Sequence, residues 1–164
     1  MALRVVIVGM GHRGRDWVRE VRSSSDFKLA GCVEIDSNVR TSAAVSLNIP
    51  PAHCFDDLDR ALDRAQAQAV IVASSSDQHV RACESALTRG HGVMVEKPFT
   101  LSLKEAVTLV ALADKQGTPL LVAQNYRYMR SFRTVKNWLA KVRWETLAWL
   151  FVNTIARRTI WLPR

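Results

Sequence analysis

Leu3-Arg-Val-Val-Ile-Val8 runs directly into Gly9-Met-Gly-His-Arg-Gly14, and that junction constrains the fold more than any other feature of the chain. The first run is β-branched and almost continuously apolar, as a strand buried on both faces of a parallel sheet must be. A helix is predicted over about residues 13–22, with Trp17, Val18 and Val21 on one face. The glycines fit G-x-G-x-x-G, a weak pattern alone that gains meaning between a strand and a helix. Gly9 permits the tight turn, Gly11 has no side chain to hold a diphosphate off the backbone, and Gly14 lets helix and strand pack closely. Helix N–H groups and the helix dipole then face the phosphates. His12, in the same turn, either contacts phosphate or points to solvent.

Downstream, strand and helix patterns alternate. Strands are predicted over residues 28–35, 53–55, 69–73, 93–95 and 119–123, and helices over 39–47, 56–64, 77–89, 102–116 and 131–141. Ser102 and Glu105 form a capping box, and Gly117 stops that helix. Parallel strands joined by helices need right-handed crossovers that cover both sheet faces. The expected architecture is an α/β doubly wound parallel sheet with its ligand at the carboxyl ends of the strands.

Glu34 lies 20 residues beyond Gly14, at the end of the second predicted strand, where an acid meets the adenosine ribose hydroxyls of a dinucleotide. A carboxylate there repels a 2′-phosphate and favours NAD. Asp36 is the fallback acid. Arg13 and Arg40 could bind a 2′-phosphate and keep NADP as the alternative.

Five segments together resemble the Gfo/Idh/MocA family of NAD(P)-dependent oxidoreductases. They are Gly9-Met-Gly-His-Arg-Gly14, Glu34-Ile-Asp36, Ala73-Ser-Ser-Ser-Asp-Gln-His79, Glu96-Lys97-Pro98 and Gln124-Asn-Tyr-Arg-Tyr128. The resemblance implies a dinucleotide-binding Rossmann domain over residues 1–124. Residues 125–164 would then be a connecting helix and the first strand, about 147–155, of a second α/β domain present only as a remnant. It also implies hydride transfer between a nicotinamide and a hydroxyl or carbonyl of a sugar- or cyclitol-like substrate. Lys97 matches the active-site lysine, which hydrogen-bonds the substrate oxygen and assists proton movement. The Lys97–Pro98 bond is cis in some relatives. Glu96 matches a residue near the nicotinamide ribose, His79 the family histidine after the fourth strand, and Asn125 a position near the nicotinamide end. His79 reads equally as helix surface or packing. The expected cofactor set is Gly9, Gly11, His12, Arg13, Gly14, Glu34, Asp36, Ser74, His79, Glu96 and Asn125. Two departures stand out: Ser75 where relatives usually have proline, and Arg130-Ser131 in place of a proline region.

The charge of +8 falls entirely in residues 125–164, where nine Lys/Arg face a lone Glu145. This basic stretch, with aromatic residues nearby, resembles a nucleic-acid footprint, but a solvated helix face and a strand lacking its acidic neighbours explain it, and no nucleic-acid partner is expected. A strand apolar on both faces with no sheet beside it would be an open edge, so residues 145–161 are expected to pair with a second copy or fold back. Cys32, Cys54 and Cys83 lack CxxC spacing, and no HxxxH or HExxH pair suggests zinc. No run approaches a membrane span or a signal peptide, so a cytoplasmic protein is expected. The competing reading is a non-catalytic NAD(P)-binding module or redox sensor.

Overall fold

Val5, Val6 and Ile7 are at most 1% exposed and Val8 is 9% exposed, so the opening strand is covered on both sides. In this computed structural model, which describes residues 1–141, Val5 and Ile7 enter one core with Val18, Val21 and Ile71. Val6 and Val8 enter the other, with Leu62, Val70, Leu87 and Leu109. The alternation is the two-residue period of a strand between two helical layers.

The strands are β1 (Leu3–Val8), β2 (Phe27–Val33), β3 (Cys54–Phe55), β4 (Ala69–Val72), β5 (Gly92–Val95) and β6 (Leu120–Val122). All pair in parallel, in the order β3-β2-β1-β4-β5-β6. The helices are α1 (His12–Ser23), α2 (Ser37–Ser46), α3 (Leu58–Ala65), α4 (His79–Thr88), α5 (Leu103–Gln116) and α6 (Arg130–Leu139). Helices α1 and α2 supply the core on one sheet face, and α3, α4 and α5 the core on the other. This is the expected doubly wound sheet, and its strand order reverses between β1 and β4. The carboxyl ends there are closed by Gly9 N–H donating to Val33 O at 2.8 Å and Ala73 N–H to Val8 O at 2.8 Å. Burial pushes the Cys32 and Cys83 thiols up to about 12, so both act as protonated packing groups.

The element boundaries moved where side chains compete for backbone groups. Strand β2 ends at Val33 rather than residue 35, and α2 starts at Ser37 because Asp36 Oδ1 accepts from Asn38 N and Val39 N. The helix expected over residues 77–89 begins at His79, behind a 3₁₀ turn over Ser76–Gln78 closed by Gln78 N–H donating to Ser75 O. The capping box at Ser102 and Glu105 is formed in both directions, and Gly117 takes the left-handed conformation, φ 63°.

The chain divides at Ala123 into two units, Met1–Ala123 and Gln124–Arg164. Within the second, a 3₁₀ turn over Asn125–Tyr128 precedes α6, and Tyr126 stacks on Phe132 with ring centroids 5.5 Å apart. The strand expected at 147–155 and the pairing surface at 145–161 lie outside the described residues. Among the described residues no helix is long and apolar enough to cross a membrane.

Candidate functional site

The glycines of the first turn are required for different reasons. Gly9 has φ 89°, and a Cβ there would stand 2.6 Å from the Ser74 backbone. A Cβ on Gly14 would stand 1.7 Å from Gly9 O. Both glycines let the β1 turn, α1 and the β4 turn approach one another. Gly11 is different: a Cβ there meets nothing within 4 Å, and its backbone, φ −66° and ψ −166°, is open to any residue. Among the described residues nothing crowds position 11, so a side chain there would project into open space.

That space is a cleft of about 410 Å³, lined by Gly9, Gly11, Glu34, Ser74 and Arg81 among others. Gly11 begins α1 without a side-chain cap, which leaves the first-turn N–H groups for a ligand. Ser74 Oγ is buried with no hydrogen-bond partner. Ser74 lines the cleft next to Gly9, and an unpartnered hydroxyl there, beside uncapped helix N–H groups, suits an anionic group. At the far wall, Glu34 Oε2 accepts from Met10 N at 2.8 Å and Oε1 from Asp36 N at 3.1 Å. Each carboxylate oxygen keeps lone-pair capacity for a ribose hydroxyl. The fold therefore brings Gly9, Gly11, Gly14, Glu34 and Ser74 together.

Other expected ligands have work elsewhere. Asp36 is the N-cap of α2. The His12 side chain is 89% exposed and rests 3.3 Å from Asp16, along α1 rather than over the turn. Arg13 was expected at phosphate, but its Nε and Nη2 donate to Glu96 Oε1 at 3.0 and 2.6 Å. Arg40 Nη1 donates to Glu34 O at 2.6 Å. His79 is 1% exposed, with Nδ1 2.9 Å from Pro98 O and Nε2 3.1 Å from Ser74 O. It joins two loops, with each ring nitrogen facing a backbone carbonyl. Asn125 lies in the second unit.

Glu96 follows β5 and is 5% exposed. Its Oε1 takes a third donor, Trp17 Nε1 at 2.9 Å, and Oε2 accepts from Lys97 N at 3.3 Å. Both oxygens serve protein donors, in place of the expected open contact to a ribose. Burial alone would raise this carboxyl; the hydrogen bonds from Arg13 and Trp17 and the Arg13 charge outweigh it and hold Glu96 below its ordinary value. A depressed carboxyl stabilises the fold above its unfolded pKa, and that contribution is lost as pH falls through the folded value. Glu96→Gln is therefore expected to be about 1–2 kcal/mol less stable than the parent at neutral pH. Thermal melts should show the gap closing in acid, below the usual carboxylate range. Lys97 itself is exposed at the end of β5, and the Lys97–Pro98 bond is cis.

Sequence reasoning missed Asp56, Asp57, Gln78 and Arg81, which also line the cleft. Asp57, at the start of the helix expected over residues 56–64, caps α3 by accepting from Arg60 N at 3.0 Å. The available signal was topological: residues directly after β3 and β4 belong to the same carboxyl edge as the glycine turn. Trp17 packs with Val18 and Val21 on the expected face of α1, but spacing does not report its indole N–H, which donates to Glu96. Among the described residues no three His, Cys, Asp or Glu side chains are grouped to hold a metal ion.

The model of an oxidoreductase family with an NAD-binding Rossmann fold matches residues 3–124. An uncharacterized oxidoreductase of Escherichia coli K12, YhhX, is 38% identical over 51% of this chain and 24% of its own length. The inositol 2-dehydrogenase of Leifsonia xyli is 31% identical over 71% of this chain and 34% of its own. The crystal structure of GenD2 from gentamicin A biosynthesis, in complex with NAD, superposes with TM-score 0.78 at 27% identity, covering 85% of this chain and 39% of that one. The chain thus spans between about a quarter and two fifths of these relatives. With residues 3–124 matched by that model, and an open glycine turn after β1 in place, the chain belongs to the Gfo/Idh/MocA oxidoreductase family and carries its NAD-binding Rossmann fold.

Proposed function

We propose that this chain supplies the cofactor-binding half of an NAD-dependent oxidoreductase acting on a hydroxyl or carbonyl of a sugar- or cyclitol-like molecule. The observation that carries the reading is the cleft in front of Gly11, lined by Ser74, whose hydroxyl has no partner, and by Glu34, whose carboxylate is braced. The first-turn N–H groups of α1 and Ser74 Oγ hold the diphosphate, and Glu34 accepts from the adenosine ribose. NAD is favoured over NADP because the Glu34 carboxylate, braced by Met10 N and Asp36 N, would repel a 2′-phosphate. When bound, the nicotinamide accepts or donates the hydride of the reaction. Lys97 Nζ, at the end of β5, hydrogen-bonds the substrate oxygen and exchanges its proton. The inositol 2-dehydrogenase relative supports a polyhydroxylated substrate. In this reading residues 1–124 are the cofactor domain and residues 125–164 open a second one. A module that only binds dinucleotide would need the turn and Glu34 but would leave Lys97 without a role.

Substrate positioning and water exclusion supply several kcal/mol of barrier lowering and come from the remainder of a site of this kind. The 1–164 chain is therefore expected to bind NADH in isothermal titration while giving no polyol-dependent NADH formation above background. Robust turnover by this chain with inositols or aldoses would contradict the half-site reading, and absence of NADH binding would contradict the whole of it.

A further inference from the structure

Two buried polar side chains, His79 and Glu96, stand out among the described residues, and both grip the turn that carries Lys97. His79 Nδ1 lies 2.9 Å from Pro98 O, and Glu96 Oε2 accepts from Lys97 N at 3.3 Å. Glu96 is in turn held from α1. Three donors converge on its Oε1, two from the Arg13 fork and one from the Trp17 indole, and the Arg13 guanidinium lies 5.9 Å over the Trp17 ring. These bonds span 83 and 79 residues of sequence and join the helix behind the glycine turn to the end of β5. A buried carboxylate is costly unless it is fully paired, so the pairing fixes Glu96, and with it the backbone of Lys97.

We propose that Arg13 and Trp17 are positioning residues for Lys97, acting through the Glu96 carboxylate, so that the helix facing the diphosphate also sets where the lysine stands. The proposal rests on Lys97 acting at the nicotinamide end of the site, as argued above. It assigns Arg13 to the placement of the lysine rather than to phosphate contact. It also gives the fork a purpose that a lysine at 13 could not serve, because an ammonium carries charge without the planar pair of donors.

The test compares NADH with ADP-ribose, which has the same diphosphate and adenosine but no nicotinamide, in titrations of the 1–164 chain. In the proposed pose the nicotinamide rests beside the Lys97 turn, so Arg13→Ala and Glu96→Gln, which loosen that turn, should each weaken NADH about tenfold while changing ADP-ribose by no more than about twofold. The double variant should be no weaker than either single one, since both break the same link. Acetylation of Lys97, read by mass spectrometry against Lys104 as internal reference, should change in both variants, and Arg13→Lys should not restore the parent behaviour. Equal losses for the two ligands would make Arg13 a direct phosphate ligand and overturn the proposal. Additive effects, or unchanged Lys97 acetylation, would overturn it as well. Should Arg13→Ala fail to fold, Trp17→Phe removes one donor, keeps the ring, and carries the same comparison. If the parent chain binds neither ligand, the proposed function itself fails, which is a different result from equal losses in a binding-competent chain.

Discussion

Gly14→Ala is expected to cost the fold at least about 3 kcal/mol, whereas Gly11→Ala is expected to fold normally and lose dinucleotide binding. At position 14 the new Cβ would stand 1.7 Å from Gly9 O. The obstacle is backbone, so no side-chain rotation relieves it, and α1 must move off β1. For a chain of this size that corresponds to a melting temperature lower by roughly 10 °C. At position 11 the backbone already suits alanine, and the methyl group enters empty space. The helix loses only the modest preference for glycine over alanine at its N-cap, about 1 kcal/mol or less. The methyl group would occupy the place of the diphosphate, and an affinity loss of at least about a hundredfold is expected. Thermal melts and NADH titrations of the two variants check both halves. Equal destabilisation of both, or full NADH binding by Gly11→Ala, would contradict the assignment.

The second large effect concerns the choice between cofactors. NADH is expected to bind at least about a hundredfold more tightly than NADPH, because two like charges about 4 Å apart near a protein surface oppose each other by about 4 kcal/mol. Glu34 cannot easily swing away, since Met10 N and Asp36 N hold its two oxygens at 2.8 and 3.1 Å. Arg13 is paired with Glu96, and Arg40 reaches the backbone carbonyl of Glu34 rather than its carboxylate, so that carboxylate keeps its charge toward the ribose. Glu34→Gln keeps the shape and removes the charge, and should narrow the preference to about tenfold or less. Parallel titrations with the two reduced cofactors measure this directly. An unchanged preference in the variant would place the discrimination elsewhere on the cleft wall.

The parts of this site that could be read from the sequence are those whose physics is local. Val5 to Val8 announce a strand covered on both faces, the glycine spacing announces the turn, and Ser102 with Glu105 announces a helix start. Each signal lies within a few residues, and each was found in place. The partners of Arg13, His79 and Trp17 were not legible, because charge, imidazole and indole take their role from whatever the fold brings up against them. Arg13 stands beside a phosphate turn in sequence, yet a carboxylate 83 residues away claims it. The 3₁₀ turn before α4 sets His79 at the buried start of that helix, between the carbonyls of Ser74 and Pro98, a placement no local pattern reports. Asp36 illustrates competition of another kind: the same side chain suits a ribose and a helix cap, and the cap lies two residues away. Asp57 and Arg81 reached the cleft through strand order, which no local pattern encodes.

The central claim is that the turn between β1 and α1 holds a diphosphate with glycine backbone and Ser74, while Glu34 holds the adenosine ribose. A crystal structure of the chain grown with NAD tests it most directly. The account predicts diphosphate density in van der Waals contact with Gly11, a hydrogen bond from Ser74 Oγ, and both ribose hydroxyls donating to Glu34. A turn closed by its own side chains in saturating NAD, or a dinucleotide bound away from Gly11, would contradict it.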